Sequence, residues 1–357
     1  MRLWKRYFLS ELLKTLLLFL FGFFILYSMI EYATRMDDFF KNEKLQLIPA
    51  LHYYLNQFLK RIDFMLPMAL LLSTIKVLTS LNMQNEWTVL QVAGLSTRKL
   101  LTPFFAIALA CSTFLWVNFE YFLPPALQKI DEFRMAHSHG SHLVKRREKI
   151  HLIPLRDGSK LLYQSYIKEK HMLFDVLWIK SINELWRMKY LSADPTLPKA
   201  QFVDELVRAP NGMMEKRASY DSIVLTDLQW HPRDARKALT SFDQRSISNL
   251  YFIFKNREAS PYDMPKVKTA LVFKLVTPLL SPLIILAFAP ACLTFSRHRP
   301  LFLIYAIAMF SFFAFYMLLD SLTILSENAL ISPILAILAP IALLISTLGW
   351  RFFKKTA

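Results

Sequence analysis

The sequence predicts a helical membrane protein of six spans, three on either side of an inserted β-rich domain. Three observations carry this reading. Of 357 residues, 54% are hydrophobic and only six are glycine; the apolar residues gather in long uncharged runs; and the stretch 124–268 is of mixed polar composition with no such run. A soluble chain is roughly 45–50% apolar even when glycine is counted. Mean hydropathy of +0.31 with so little glycine excludes disordered, collagen-like and loop-rich classes, and a soluble enzyme built on glycine-rich phosphate loops.

The runs fall at 15–30, 100–119, 275–296, 300–319 and 328–350. About 20 helical residues cross a hydrocarbon core of roughly 30 Å, and four of the runs reach that length. The first is shorter but extends helically through Glu11 and Arg35. A sixth, weaker run lies at 58–81, with Lys60, Arg61 and Asp63 at one end and Lys76 interrupting the other. The start of the chain has the basic residues of a secretion signal, Arg2, Lys5 and Arg6, yet no small-residue cleavage site follows at Glu31-Tyr32-Ala33-Thr34. It is read as a retained helix.

Orientation follows from the short basic loops. Arg2, Lys5, Arg6 and Lys14 precede span one, Arg98 and Lys99 separate spans two and three, Arg297 and Arg299 separate spans four and five, and Arg351, Lys354 and Lys355 close the chain. With six spans all four clusters share one side, which the positive-inside rule makes cytoplasmic for both termini. The polar stretch 124–268 then lies outside the cytoplasm. The net charge of +16 divides between cytoplasmic anchoring and that exterior domain, and points to anionic lipid or another polyanion as partner.

The exterior stretch opens with a helix-like segment at 123–136. It continues through a His-rich linker into β-rich pieces at 150–155 (before Asp157-Gly158), 160–167, 174–179 and 222–228. Segment 183–190 reads equally as helix. Alternation and turn spacing favour a small β-sandwich or an open jelly roll. Both cysteines, Cys111 and Cys292, fall in spans, so the exterior domain holds no disulfide, and they read as small buried hydrophobes.

No Walker loop, HExxH, GxSxG or CxxC pair occurs, so the chain has no means of its own to hydrolyse a nucleotide. His137, His139 and His142 could offer imidazoles to a metal, but Lys145, Arg146 and Arg147 beside them repel cations, and a solvated linker is the simpler reading. The segment 86–96, between spans two and three, reads as a short amphipathic helix. Trp87, Val89 and Leu90 form its apolar side, Gly94 its left-handed stop, and Ser96 caps the next helix. Such a helix either rests on lipid or serves as a handle for a soluble motor.

Here the chain resembles the LptF/LptG permeases of the lipopolysaccharide-export ABC transporter. Their cytoplasmic coupling helix carries a pattern close to E-x-T-x-L-x-x-A-G-x-S, matched at Glu86, Thr88, Leu90, Ala93, Gly94 and Ser96. Arg6-Tyr7, Asp37-Asp38 and the P-L-L-S-P-L run from Pro278 add to the likeness. The resemblance implies transmembrane helices one to three in 1–123 with a coupling helix at about 84–96, a periplasmic β-jellyroll in 124–268, and helices four to six in 269–357. It implies a non-catalytic permease subunit in the bacterial inner membrane that binds no cofactor itself. ATP and Mg belong to a cytoplasmic ATPase dimer, LptB. The other partners implied are a paralogous six-span permease and LptC-like and LptA-like periplasmic jellyroll proteins.

By the same resemblance, Glu86, Leu90, Ala93, Gly94, Ser96 and Arg98 contact the ATPase, Glu86 competing with a plain role at a helix start. Phosphates of lipopolysaccharide need basic residues at the exterior helix ends, for which Arg35, Lys41, Lys44, Lys60, Arg61 and Lys274 are the candidates. Snorkelling to ordinary headgroups explains each of them separately. Lys76 and Asp320 read as interfacial or paired. Phe19, Phe23, Phe312, Phe313 and Phe315 read as lipid-facing packing in preference to an acyl-chain cavity. An ion-driven secondary transporter and a membrane scaffold are the alternatives. The first lacks paired midplane carboxylates, offering only Asp63 and Asp320 near span ends, and the second lacks any catalytic or metal constellation.

Overall fold

In a computed structural model, residues 3–34, 47–137, 151–155, 157–167, 172–192, 198–209, 212–228, 242–256, 263–293 and 301–356 are described. The chain divides into two compact units, Met1–His139 with Phe242–Ala357, and Gly140–Ser241. The second is narrower than the stretch 124–268, because the helices flanking the β-rich part belong to the helical unit.

The helical unit contains α1 (Leu3–Thr34), α2 (Leu47–Met83), the short α3 (Glu86–Val92) and α4 (Thr97–Val117). A π-helical turn, Asn118–Phe122, runs on into α5 (Leu123–His137). After the β unit come α6 (Ile247–Asn256), α7 (Met264–Val276), a 3-10 turn at Thr277–Leu279, α8 (Leu280–Leu293), α9 (Leu301–Glu327) and α10 (Pro333–Thr356). Among the described residues five stretches are long and apolar enough to cross a membrane: Leu3–Thr34, Leu51–Met83, Thr97–Phe133, Met264–Pro290 and Leu301–Glu327. The expected sixth span corresponds to α10, whose described apolar part, Pro333–Ser346, is shorter.

α2 is the spine. Its apolar window is 83% buried, against 11% in α1 and in α9, so the outer helices leave their apolar faces to whatever surrounds them. Leu70, Leu71, Ile75 and Leu78 of α2 are fully buried with Phe8 and Leu12 of α1, Leu100, Leu101 and Phe104 of α4, Ile285 of α8 and Ala308 of α9. A second cluster joins α7, α8, α9 and α10 through Val276, Leu283, Leu319, Ile337 and Ile341. Phe312 belongs to this interior, its ring 5.5 Å from that of Phe64, whereas Phe313 beside it is exposed. The lipid-facing reading therefore fails for Phe312 alone of that pair. Cys111 and Cys292 are free and buried, and Lys76 and Asp320 are both exposed.

Prolines inside helices strip carbonyls of their donors, because a proline has no N–H to give the carbonyl four residues back. Inside a bilayer such a carbonyl has no water to turn to. Side chains supply what is missing. Pro67 deprives Asp63 O, which accepts the Tyr316 hydroxyl at 2.9 Å. Pro103 deprives Lys99 O, which accepts Thr102 Oγ1 at 2.8 Å. Pro282 has no N–H for Pro278 O, which accepts Ser112 Oγ at 2.7 Å, and Trp116 Nε1 reaches Leu275 O beside the same turn at 3.0 Å. Three of these contacts tie separate elements together, α9 to α2, α4 to the α7–α8 turn, and α4 to the end of α7.

The β unit is one six-stranded antiparallel sheet in sequential order. Its strands are β1 (His151–Pro154), β2 (Lys160–Ile167), β3 (Met172–Ile179), β4 (Glu184–Ser192), β5 (Lys199–Arg208) and β6 (Met214–Val224). The described strands form a meander, without the crossed connections of a sandwich or closed jelly roll. Segment 183–190 is strand. β5 was not expected at all, because KAQFVDELVR is rich in helix formers, and the last strand ends at Val224 where 222–228 was expected.

Two left-handed residues crease the sheet, Asp175 at φ 47° in β3 and Phe202 at φ 52° in β5. Strand alternation is broken there, so Leu173 and Val176, and likewise Ala200 and Val203, are buried together three residues apart. Both flank Lys189 in register, between the pairs Val176–Met188 and Tyr190–Gln201. On the core side Trp178 donates its indole N–H to Ser159 Oγ at 3.0 Å, and Ser159 in turn caps Asp157 with its N–H and hydroxyl at 2.9 and 2.7 Å. These two bonds hold the Asp157 carboxyl below its ordinary value. Ser159→Ala leaves the buried indole N–H unpaired. It should cost about 1–3 kcal/mol, read as an earlier unfolding midpoint of the β unit's tryptophan fluorescence in the full-length chain.

Candidate functional site

At one end of the bundle α3 hangs directly from α2. Ser80 and Asn82 carbonyls accept Gln84 N and Asn85 N at 3.0 and 3.2 Å, and Asn85, left-handed at φ 58°, turns the chain into α3. Trp87 anchors it. Only 3% exposed, its ring stacks on Phe8 of α1 at 6.2 Å with an 8° interplanar angle. Leu90 packs on the same side, as its spacing from Trp87 requires.

Val89 does not share that side. It and Val92 are 65% and 84% exposed, so α3 carries apolar residues outward as well as inward. Its end is a Schellman motif: Leu95 N donates to Leu90 O at 3.1 Å and Gly94 N to Gln91 O at 2.9 Å, with Gly94 at φ +86°. Ser96 occupies the N-cap position of α4 in extended backbone. Its carbonyl accepts Leu100 N at 3.1 Å, but its side chain makes no cap bond, and the expected side-chain cap is absent. Gln91 instead donates to Thr97 Oγ1 at 3.0 Å, bridging α3 to α4.

Of the residues expected to meet a motor, Ala93, Gly94, Ser96 and Arg98 are exposed, Glu86 is half-buried and Leu90 faces inward as a prop. The Glu86 carboxylate lies in the field of the Tyr7 hydroxyl of α1. Thr88, Val89 and Val92 complete the outward surface. The result is a short, rigidly held knob with a small, apolar outer face.

At the far end of the bundle, α1 and α2 share a buried polar cluster that sequence reasoning missed. Glu31 Oε1 accepts Tyr53 Oη and Gln57 Nε2, both at 2.8 Å. One turn along α2 from Gln57 and along α1 from Glu31, the exposed Arg61 guanidinium lies 5.8 Å from the Tyr27 ring centre. Lys60 beside it is half-buried.

Lys274 faces the interior of the bundle, as an ionisable group at that depth in a span usually does. It is 4% exposed, donates to the carbonyl of Arg245 and stands 6.0 Å over the Phe119 ring. It braces α7 against the turn before α6 and against the π-helical turn. The Asp63 carboxylate of α2 lies within electrostatic reach of both Arg61 and Lys274. Arg35, Lys41 and Lys44, with Asp37-Asp38, His139, His142, Arg297 and Arg299, lie outside the described residues. Among the described residues no group of three or more metal-ligating side chains occurs.

Asn118 of the π-helical turn donates to Leu59 O of α2 at 3.1 Å, while Glu120 accepts Ser248 N at 3.1 Å. A lone Asn and Glu in an apolar run, and Glu31 in another, were the available signals. Polar residues at membrane depth carry function or packing by default.

A comparison with curated proteins finds no match. The sequence model of a family does match, over residues 6–354 and thus nearly the whole chain, and its description is lipopolysaccharide export system permease LptF/LptG. Multiple apolar helices and an inserted antiparallel β unit agree with that match, and the chain belongs to the LptF/LptG permease family.

Proposed function

We propose that the chain is one of two paralogous six-span subunits of an ABC exporter that lifts lipopolysaccharide out of the inner membrane. The observation that carries this is the shape of α3: a helix locked inward by Trp87 and Leu90, closed by a Schellman turn, and offering Val89, Val92, Ala93 and Gly94 outward. Such a knob suits a groove on a soluble partner. In this reading that partner is the LptB-like ATPase dimer, which holds the ATP and Mg; Glu86 and Arg98 flank the contact. α10 is the sixth span, and the α3 end and both termini face the cytoplasm.

α3 follows α2 through a two-residue turn, so displacement of α3 moves α2, and α2 carries Lys60 and Arg61 in its other half. Force thus reaches the lipid-facing end through one continuous helix. Arg61 meets a lipid phosphate with bidentate geometry, helped by Lys60 and by Arg35, Lys41 and Lys44. Lys274 is assigned a brace's role, since its ammonium is already committed to Arg245 O. The extracted lipid passes to the β meander, acting as an open jelly-roll-like slot, and on to LptC-like and LptA-like proteins of similar build. An ion-driven carrier is disfavoured: the Asp63 carboxylate folds back on Phe64 N at 3.0 Å and Asp320 is exposed.

Glu86→Lys should leave insertion and folding intact while lipid export falls about tenfold or more with ATP hydrolysis continuing, measured in proteoliposomes of the whole complex. Wild-type export in that variant contradicts the assignment of α3. Arg61→Glu should weaken binding of labelled lipopolysaccharide by about tenfold or more, the worth of a hydrogen bond to a charged group. Lys274→Glu should act on stability instead. It sets a carboxylate against a carbonyl in a buried place, a loss of about 3–5 kcal/mol, seen as a lower denaturation midpoint in detergent.

A further inference from the structure

We infer that Tyr316 of α9 is a positioning residue: its hydroxyl supplies the donor that Pro67 cannot, and so holds the turn of α2 that carries Lys60 and Arg61. Pro67 lies inside α2, and the carbonyl it leaves without an N–H partner is that of Asp63. Asp63 O accepts Tyr316 Oη at 2.9 Å across a sequence separation of 253 residues. One turn earlier Asn118 Nδ2 donates to Leu59 O at 3.1 Å. Over the turn from Leu59 to Asp63 the α2 backbone is thus held by two donors from other elements, one from the π-helical turn and one from α9. Between these two anchored carbonyls lie Lys60 and Arg61.

The ring of Tyr316 is fixed independently of its hydroxyl. It stands edge-on to Phe64 at 4.9 Å and lies 5.3 Å from Phe312. Phenylalanine at 316 keeps those contacts and removes only the donor. Pro67→Ala does the opposite, returning an N–H to the Asp63 carbonyl from within α2. The pair therefore separates a donor's role from a packing role. Pro67 lies between Arg61 and α3 along the single helix that joins them. What Arg61 binds rests on the permease reading above; the hold on its backbone does not.

Hydrogen exchange of α2 amides, followed by mass spectrometry on the full-length chain in lipid nanodiscs without lipopolysaccharide, tests this directly. Tyr316→Phe should speed exchange in the peptide covering 59–71 by about tenfold, the order expected when a buried hydrogen bond is lost and the helix opens locally. Pro67→Ala alone should exchange no faster than wild type, and Tyr316→Phe with Pro67→Ala should return to the wild-type rate. Unchanged exchange in Tyr316→Phe overturns the inference. So does an increase that Pro67→Ala fails to reverse, since the hydroxyl would then act elsewhere. If the exchange pattern holds but the whole complex containing the wild-type chain binds no lipopolysaccharide, the permease reading fails and the positioning role of Tyr316 stands.

Discussion

A carbonyl in hydrocarbon must find a donor, and this chain places prolines where carbonyls lose theirs. The helical unit is organised around the repair. Pro67 and Pro103 lie inside α2 and α4, and Pro282 lies in the first turn of α8; hydroxyls of Tyr316, Thr102 and Ser112 donate to the carbonyls four residues before them. A straight all-apolar helix would pack on its neighbours by dispersion alone, with little to fix its rotation. Here a directional bond from α9 and another from α4 set the rotation of α2 and of the α7–α8 turn. The proline thus converts a local defect into a tertiary contact.

α2 gathers the consequences. It is the most enclosed of the membrane-length helices, it continues through one turn into α3, and its other half carries Arg61 beside the Glu31–Tyr53–Gln57 cluster. Charged groups follow the same logic. Lys274 and Glu31, both buried, are committed to internal partners, whereas Arg61 and Arg98 keep their charge at the surface, one at each end of the bundle. Buried charge holds the frame while exposed charge meets a partner.

Much of this was legible in the residues, and what was not has physical reasons. Runs of apolar residues located the membrane helices because length and composition suffice for that. Gly94 revealed the end of α3 because few other residues adopt φ +86° without strain. Helix rotation was not legible: Val89 belongs to the outer face of α3, and only the packing of Trp87 against Phe8 decides it. β5 was hidden where alternation fails, at the left-handed Phe202, and most of the edge strand β6 because both its faces are largely exposed. Tyr316 could not have been found from its own neighbours in sequence, since its partner is 253 residues away.

The central claim is that this chain is half of a membrane gate worked by a separate ATPase through α3. Its most direct test is to purify the tagged full-length chain in mild detergent from the cell that makes it and to identify what accompanies it by mass spectrometry. The account predicts a stoichiometric ABC-type ATPase and a second permease of the same family, with the ATPase lost when Trp87, the anchor of α3, is replaced by alanine. Recovery of the chain alone or as a homo-oligomer, with no ATPase under conditions that preserve its fold, would contradict it.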